Sequence, residues 1–214
     1  MVEPEARSSP VTVVNLLLTV NLAVFFLWIW PAVPVEVMAE HFLVSWAHLA
    51  QGHLWVLLTA FFSHNLLVHL LINMIVLVSF GPPLERIMGS RRFFGFFVAA
   101  GLVGSLAHAV TSYALIGHPE QAALGASSAL AGVLLLYSLS FPKARVLLFF
   151  VIPLPAIVAA LAFIAIDIWG LFMQIEGEGF PIGHGAHLGG AVVGIAYYLF
   201  KGRQLRARKD RLTR

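Results

Sequence analysis

No cysteine occurs anywhere in the chain, which excludes disulfides and thiol nucleophiles and says nothing about compartment. Charge is almost as scarce. Asp, Glu, Lys and Arg make up 11% of the residues, against about 25% in soluble domains. Tandem repeats and low-complexity segments are missing as well. Apolar sequence fills the space: 60% of the 214 residues are hydrophobic, and mean hydropathy is +0.91. That balance suits a bilayer rather than water as solvent. A pI near 9.6 would fit a nucleic-acid partner, but the basic residues lie at the ends of apolar runs, where they serve topology. Nucleic acid is therefore not an expected partner.

A helix needs roughly 20 apolar residues to cross the hydrocarbon core. The apolar runs predict spans at Val11–Trp30, Asn65–Phe80, Arg92–Leu115, Leu124 to the residue before Pro142, Val146–Met173 and Pro181–Phe200. Gly81, Pro82 and Pro83 are expected to stop the second, and Pro153 and Pro155 to bend the fifth. The first run follows Glu3, Glu5 and a lone Arg7, a poor leader for a signal peptide, so it is read as a helix that stays. Pro31 and Pro34 open an interrupted stretch to Gly52, containing Trp46 and His48, that suits the membrane surface. The expected fold class is an all-α membrane protein with six transmembrane helices. Residues 1–10 form a cytoplasmic tail, 11–201 one membrane domain, and 202–214 a basic cytoplasmic tail against anionic lipid headgroups.

Lys and Arg are absent from every second connection. All 13 lie in the N-terminal tail (Arg7), after the second span (Arg86, Arg91, Arg92), after the fourth (Lys143, Arg145), and from Lys201 onward. The alternate connections hold Glu36, Glu40, Glu120, Glu176 and Glu178. The positive-inside rule then puts both termini in the cytoplasm. Every tryptophan (28, 30, 46, 55, 169) falls near the opposite interface, as an aromatic belt does.

In that topology the second, fourth and sixth spans descend from the outer surface. Each carries polar residues in its first turns: His69 and Asn73, Ser127 and Ser128, and His187. At about 1.5 Å per residue they share a depth within roughly 10 Å of the boundary. Polar groups in a span are expensive and face a cavity or a partner. A serine needs a base to take its proton, and histidine titrates near neutrality. Ser127 opens a helix, where unpaired N–H groups and the dipole favour an oxyanion. Gly185, Gly189, Gly190 and Gly194 give the sixth span a small face that can approach the fourth closely. Asn65, His69 and Asn73 fall at i, i+4 and i+8, so His69 and Asn73 can donate to that oxyanion.

Gly125-x-Ser127, Ala186-His187-x-x-Gly190-x-x-x-Gly194 and His69-x-x-x-Asn73 together resemble the rhomboid family of intramembrane serine proteases. His64, and Glu85-Arg86 with Gly89, also fit, and the resemblance covers residues 11–201. It implies a six-helix rhomboid-like bundle with Ser127 as nucleophile and His187 as general base, without a third acidic member. It further implies an oxyanion site of His69, Asn73 and the Ala126–Ser127 backbone, with no metal or cofactor. The substrates it implies are single-pass membrane proteins, cut near the outer end of their helix. Ser128 stands where the family usually has glycine, Ala131 where many members have a tyrosine under the histidine, and Trp55-Val56 where a Trp-Arg pair is usual.

Bland readings accompany each residue: a packing serine at 127 and 128, and interhelical hydrogen bonds for His187, His69 and Asn73. His184 is expected at a loop rim, and His108 and His118 on the solvated surface. Asp167 is expected to make a hydrogen bond in the outer part of the fifth span. Two other functions remain, a non-catalytic rhomboid-like binder of membrane helices and a histidine-containing transporter. The latter would usually show inverted repeats or more midplane acids. The compact core suggests a bacterial inner membrane.

Overall fold

In a lipid environment every backbone polar group must find a partner inside the protein, so apolar sequence resolves into helix. The computed structural model describes residues 12–148, 151–180 and 182–212. The expected N-terminal tail, the Val11 and Pro181 ends of two runs, and the last two residues of the basic tail lie outside them. The first apolar run is α1 (Thr12–Ile29), followed by three short helices, α2 (Val35–Phe42), α3 (Trp46–Ala50) and α4 (Val56–Thr59). Then come α5 (Leu67–Met88) and α6 (Ser90–Thr111), with α6 prolonged by a π turn to Ile116. α7 (Ser127–Ser140), α8 (Ala156–Ile175) and α9 (His184–Leu212) complete the helices. Four of these, α1, α5, α6 and α8, are long and apolar enough to cross a membrane, and α7 is a shorter apolar helix.

Three boundaries differ from expectation. α5 runs through Gly81-Pro82-Pro83 instead of stopping there. An interior proline costs about 3 kcal/mol, but the extra turns carry Glu85 beneath α1. Its carboxylate accepts the N–H groups of Thr12 (3.0 Å), Val13 (2.9 Å) and Val14 (3.0 Å) and the Ser90 hydroxyl (2.6 Å). Bonds to a charged group are worth about 1.5–3 kcal/mol each, so the four together match or exceed the roughly 6 kcal/mol cost of the two prolines.

The fifth span begins ten residues late. Strands β1 (Arg145–Leu148) and β2 (Ile152–Pro155) form an antiparallel hairpin where helix was expected, so the fold is not wholly helical. Pro153 and Pro155 push Ile152 and Leu154 into extended backbone, and the helix starts at the first residue beyond them. Ala156 N–H bonds the Ala144 carbonyl (2.7 Å) and closes the base of the hairpin.

α9 continues through the residues expected to form a tail. Arg208 donates to the carbonyls of Ile87 (3.1 Å) and Met88 (2.8 Å) at the end of α5, and Lys209 to that of Ser140 (3.2 Å) at the end of α7. Cations suit helix C-termini, whose last carbonyls lack partners. At least these two basic residues serve the protein's own helix ends.

α7 lies at the centre, touching α5, α6, α8 and α9. Phe93 and Phe97 of α6, Leu77 of α5 and Leu136 of α7 are fully buried around it. The expected small-residue contact is present. A Cβ on Gly190 of α9 would overlap the Ser128 carbonyl, and one on Gly132 would meet the Gly190 oxygen at 2.8 Å.

Glu85→Ala should lower the unfolding free energy by roughly 2–4 kcal/mol, because it leaves buried N–H groups of α1 unpaired. Glu85→Gln, which keeps one acceptor oxygen, should lose less. Denaturant titration in detergent measures both, and equal stability of all three proteins would refute the capping role.

Candidate active site

The segment before α7 is fixed by backbone bonds. Val44 and Ala123 exchange both of theirs (2.9 Å each), and Gly125 N–H donates to the Ala60 carbonyl (2.9 Å). Gly125 has φ +115°, and a Cβ there would sit 2.8 Å from Nε2 of His69. Only glycine satisfies both conditions. The chain then turns into α7 with Ser127 as its first residue.

Ser127 Oγ lies 2.9 Å from His187 Nε2, across the α7–α9 contact. His187 Nδ1 lies 2.9 Å from Asp167 Oδ1, and His184 Nδ1 lies 2.7 Å from the same oxygen. The tautomer that fits these distances has both Nδ1 atoms donating to the carboxylate oxygen and His187 Nε2 accepting from the serine. Phe163, one turn before Asp167 on α8, packs its ring against His187 at 5.4 Å between centroids.

Ser127 and His187 stand within hydrogen-bond distance, and four other positions differ at least in part from expectation. The hydrogen bond expected of Asp167 is present, and it goes to His187, so the candidate base has an acidic neighbour where the resemblance implied none. His184 is no rim residue: it is the buried first residue of α9. His108 is buried, not solvated, and its Nε2 lies 3.0 Å from the Gln121 carbonyl. His118 is exposed beside Glu120, as expected. Ala126 is the fourth correction. Its N–H donates to His64 Nε2 (3.3 Å), so that donor is already engaged. The free donors are the first N–H groups of α7, beginning with Ser127, which have no carbonyl four residues back within the helix.

His69 and Asn73 line the same cavity as Ser127 and His187, a space of about 730 Å³ with no Asp, Glu, Lys or Arg among the described residues of its wall. Asn73 donates one amide hydrogen to the His69 carbonyl (2.8 Å) and has a second available. Ser128 is buried, its Cβ against Gly104 of α6, while Ser127 holds the bond to His187. Asp167, His184 and His187 bring ligand-type atoms within 4.8 Å of one another, as a metal site would. Yet both imidazoles converge on one oxygen at N–H···O distances, and the third nitrogen is taken by Ser127. Asp167 Oδ1 and three of the four imidazole nitrogens are engaged in hydrogen bonds.

His64, in the connection before α5, is fully buried. Burial first, then the neighbouring His69, pushes its imidazole from the ordinary 6.5 down to about 3. It is therefore neutral at physiological pH, as an acceptor for Ala126 must be. Between the two values the unfolded chain binds a proton that the folded one refuses, so stability rises with pH in that window. The contribution is complete above about 6.5 and is lost as pH falls toward about 3. His64→Ala should cost about 1–3 kcal/mol by stranding the Ala126 N–H. His64→Gln should retain an acceptor and flatten the loss of stability from pH 6.5 downward. Thermal unfolding across that range tests this, and identical pH slopes for wild type and His64→Gln would refute it.

Residues 51–204 match the Rhomboid domain. Over 213 aligned residues the chain is 32% identical to Rhomboid protein 1, mitochondrial, of Saccharomyces cerevisiae, covering 96% of this chain and 58% of that protein. It is 31% identical over 184 residues to the Presenilin-associated rhomboid-like protein, mitochondrial, of Homo sapiens, covering 86% and 47%. A shorter stretch of 95 residues is 39% identical to Rhomboid protease GluP of Bacillus subtilis, covering 44% and 18%. The chain thus spans about half the length of the yeast and human relatives. The matched region takes in α5 to α9 with Ser127, His187 and the glycine contact between their helices, and the chain belongs to the rhomboid family.

Proposed function

We propose that this protein is an intramembrane serine endopeptidase that hydrolyses single-pass membrane proteins near the outer end of their helix. The observation that carries the reading is the 2.9 Å contact between Ser127 Oγ and His187 Nε2 at the edge of a cavity. His187 takes the serine proton as Oγ attacks the scissile carbonyl, then delivers it to the leaving amine. Water repeats the sequence on the acyl-enzyme. The oxyanion is met by the Ser127 N–H, the His69 ring and the free Asn73 amide hydrogen, with Ala126 removed from that role. No cofactor takes part.

The proposal includes six spans with both termini cytoplasmic. Four helices of spanning length and hydropathy support it, and α7 and the apolar first half of α9 supply the others. The integral-membrane setting is common ground. A bacterial inner membrane agrees with the Bacillus relative, while the yeast and human relatives carry mitochondrial names. A non-catalytic helix binder is the second reading, favoured by the rhomboid-like naming of the human relative. The transporter reading loses its motive, since the acid that suggested it is bonded to His184 and His187.

Ser127→Ala should abolish both cleavage of a single-pass substrate in detergent and labelling by a fluorophosphonate. Ser128→Gly should stay active, because its side chain meets α6 rather than His187. His69→Ala should lower turnover by about 10²–10³. A probe adduct mapped by mass spectrometry to Ser128, or cleavage retained in Ser127→Ala, would overturn the nucleophile. Failure of wild type to cleave or label would favour the non-catalytic reading.

A further inference from the structure

Asp167 is a buried acid that a serine–histidine dyad does not use. It is 3% exposed, and its Oδ2 meets no hydrogen-bond partner among the described residues. Two imidazole N–H groups therefore carry all the hydrogen bonding to this carboxylate. Both come from α9, at i and i+3, so they stand one above the other on the face turned to α8. α8 is shaped to receive them. Phe163, Asp167 and Gly170 lie at i, i+4 and i+7 on one of its faces. Phe163 flanks His187, and the His184 ring occupies the space that any side chain at Gly170 would fill.

We propose that Asp167 is a positioning residue for His187, and that His184 holds the Asp167 carboxylate in place. For its consequence in hydrolysis this rests on the protease reading. A neutral imidazole carries one proton, on either nitrogen. A proton on Nε2 would leave His187 unable to accept from Ser127. The 2.9 Å bond to Asp167 keeps that proton on Nδ1 and directs the Nε2 lone pair at Oγ. When Oγ gives up its proton, His187 becomes a cation. The groups that then face it are Ser127 from α7, Phe163 and Asp167 from α8, His184 from its own helix, and the histidines 69 and 108 across the cavity. Asp167 alone among them is an acid. The charge that develops during attack is thus answered by one carboxylate, and that carboxylate is kept from rotating by its 2.7 Å bond to His184.

A purely structural Asp167 would only tie α8 to α9, and a spectroscopic readout separates the two. Full-length protein labelled with ¹⁵N-histidine in detergent micelles should show His187 protonated on Nδ1, with a downfield, strongly hydrogen-bonded proton. Asp167→Asn should lose that signal and lower kcat between about 10²- and 10⁴-fold, the upper figure being the effect of the equivalent change in the serine protease triad. KM should stay within about threefold, since no Asp167 atom lines the substrate cavity. Asp167→Glu should recover at least about tenfold of the lost rate, and His184→Ala should lose about tenfold. Wild-type His187 protonated on Nε2, or Asp167→Asn cleaving at the wild-type rate, would overturn the proposal. Should Asp167→Asn not fold, the wild-type spectrum decides alone. A wild type that shows the Nδ1 proton yet neither cleaves nor labels would sink the protease reading and leave the Asp167–His187 pair standing.

Discussion

Two helix backbones must come very close if a short side chain on one is to share a proton with a ring on the other. In this protein that approach is made by α7 and α9 at Gly190, which rests directly on the Ser128 carbonyl, and at Gly132, which faces the Gly190 oxygen. Lipid tails are as apolar as leucine, so association within the bilayer relies on packing and polar contacts rather than on the hydrophobic effect. Removing side chains at the contact supplies the packing. The Ser127–His187 bond and the two bonds to Asp167 supply the polar part. Site geometry and helix packing are here the same interaction viewed from two sides.

The ends of the helices solve a separate problem with the same economy of charge. Glu85 gathers the N–H groups that open α1, while Arg208 and Lys209 reach the carbonyls that close α5 and α7. Each sign meets the helix terminus of opposite partial charge. These contacts lie far along the chain from one another and join α1, α5, α7 and α9. They hold the ends of the bundle whose other part carries the cavity, so α7 and α9 are fixed at more than the glycine contact.

Much of the site was legible because its residues stand in short motifs whose spacing has a physical reason. Gly125 must be glycine for its backbone angle and for the His69 ring, so it announces the serine two residues later. Ala186-His187 with Gly190 and Gly194 announces a close-packed histidine. His69 and Asn73 share a face by the i, i+4 rule, and both reach the cavity. What escaped depended on direction. The Ala126 N–H points wherever the turn at Gly125 sends it, and its acceptor His64 lies 62 residues away. Asp167 was visible as a lone acid, but an almost wholly apolar α8 has no polar face to show which way it turns. A usable signal was present in Gly170 three residues on and in the pair His184 and His187 at the same spacing. The fifth span differs for a simpler reason: hydropathy cannot tell strand from helix, and Pro153 and Pro155 act as a barrier to helix rather than as a bend within it.

Among the described residues the cavity wall has imidazoles, amides and hydroxyls but no fully charged side chain, and the acid nearest the site, Asp167, lies behind His187 rather than beside Ser127. A carboxylate on the wall would repel the oxyanion formed in the proposed reaction and would attract water and cations into an apolar space. Behind the ring it acts only through His187, where positive charge appears as negative charge appears on the substrate oxygen. The two charges then develop on opposite sides of the reacting bond, each facing protein groups already oriented to meet it: Asp167 for the imidazolium, the opening N–H groups of α7 and the donors of α5 for the oxygen. Groups fixed in advance need no reorganisation as the charge develops, which is where a buried polar site gains over water.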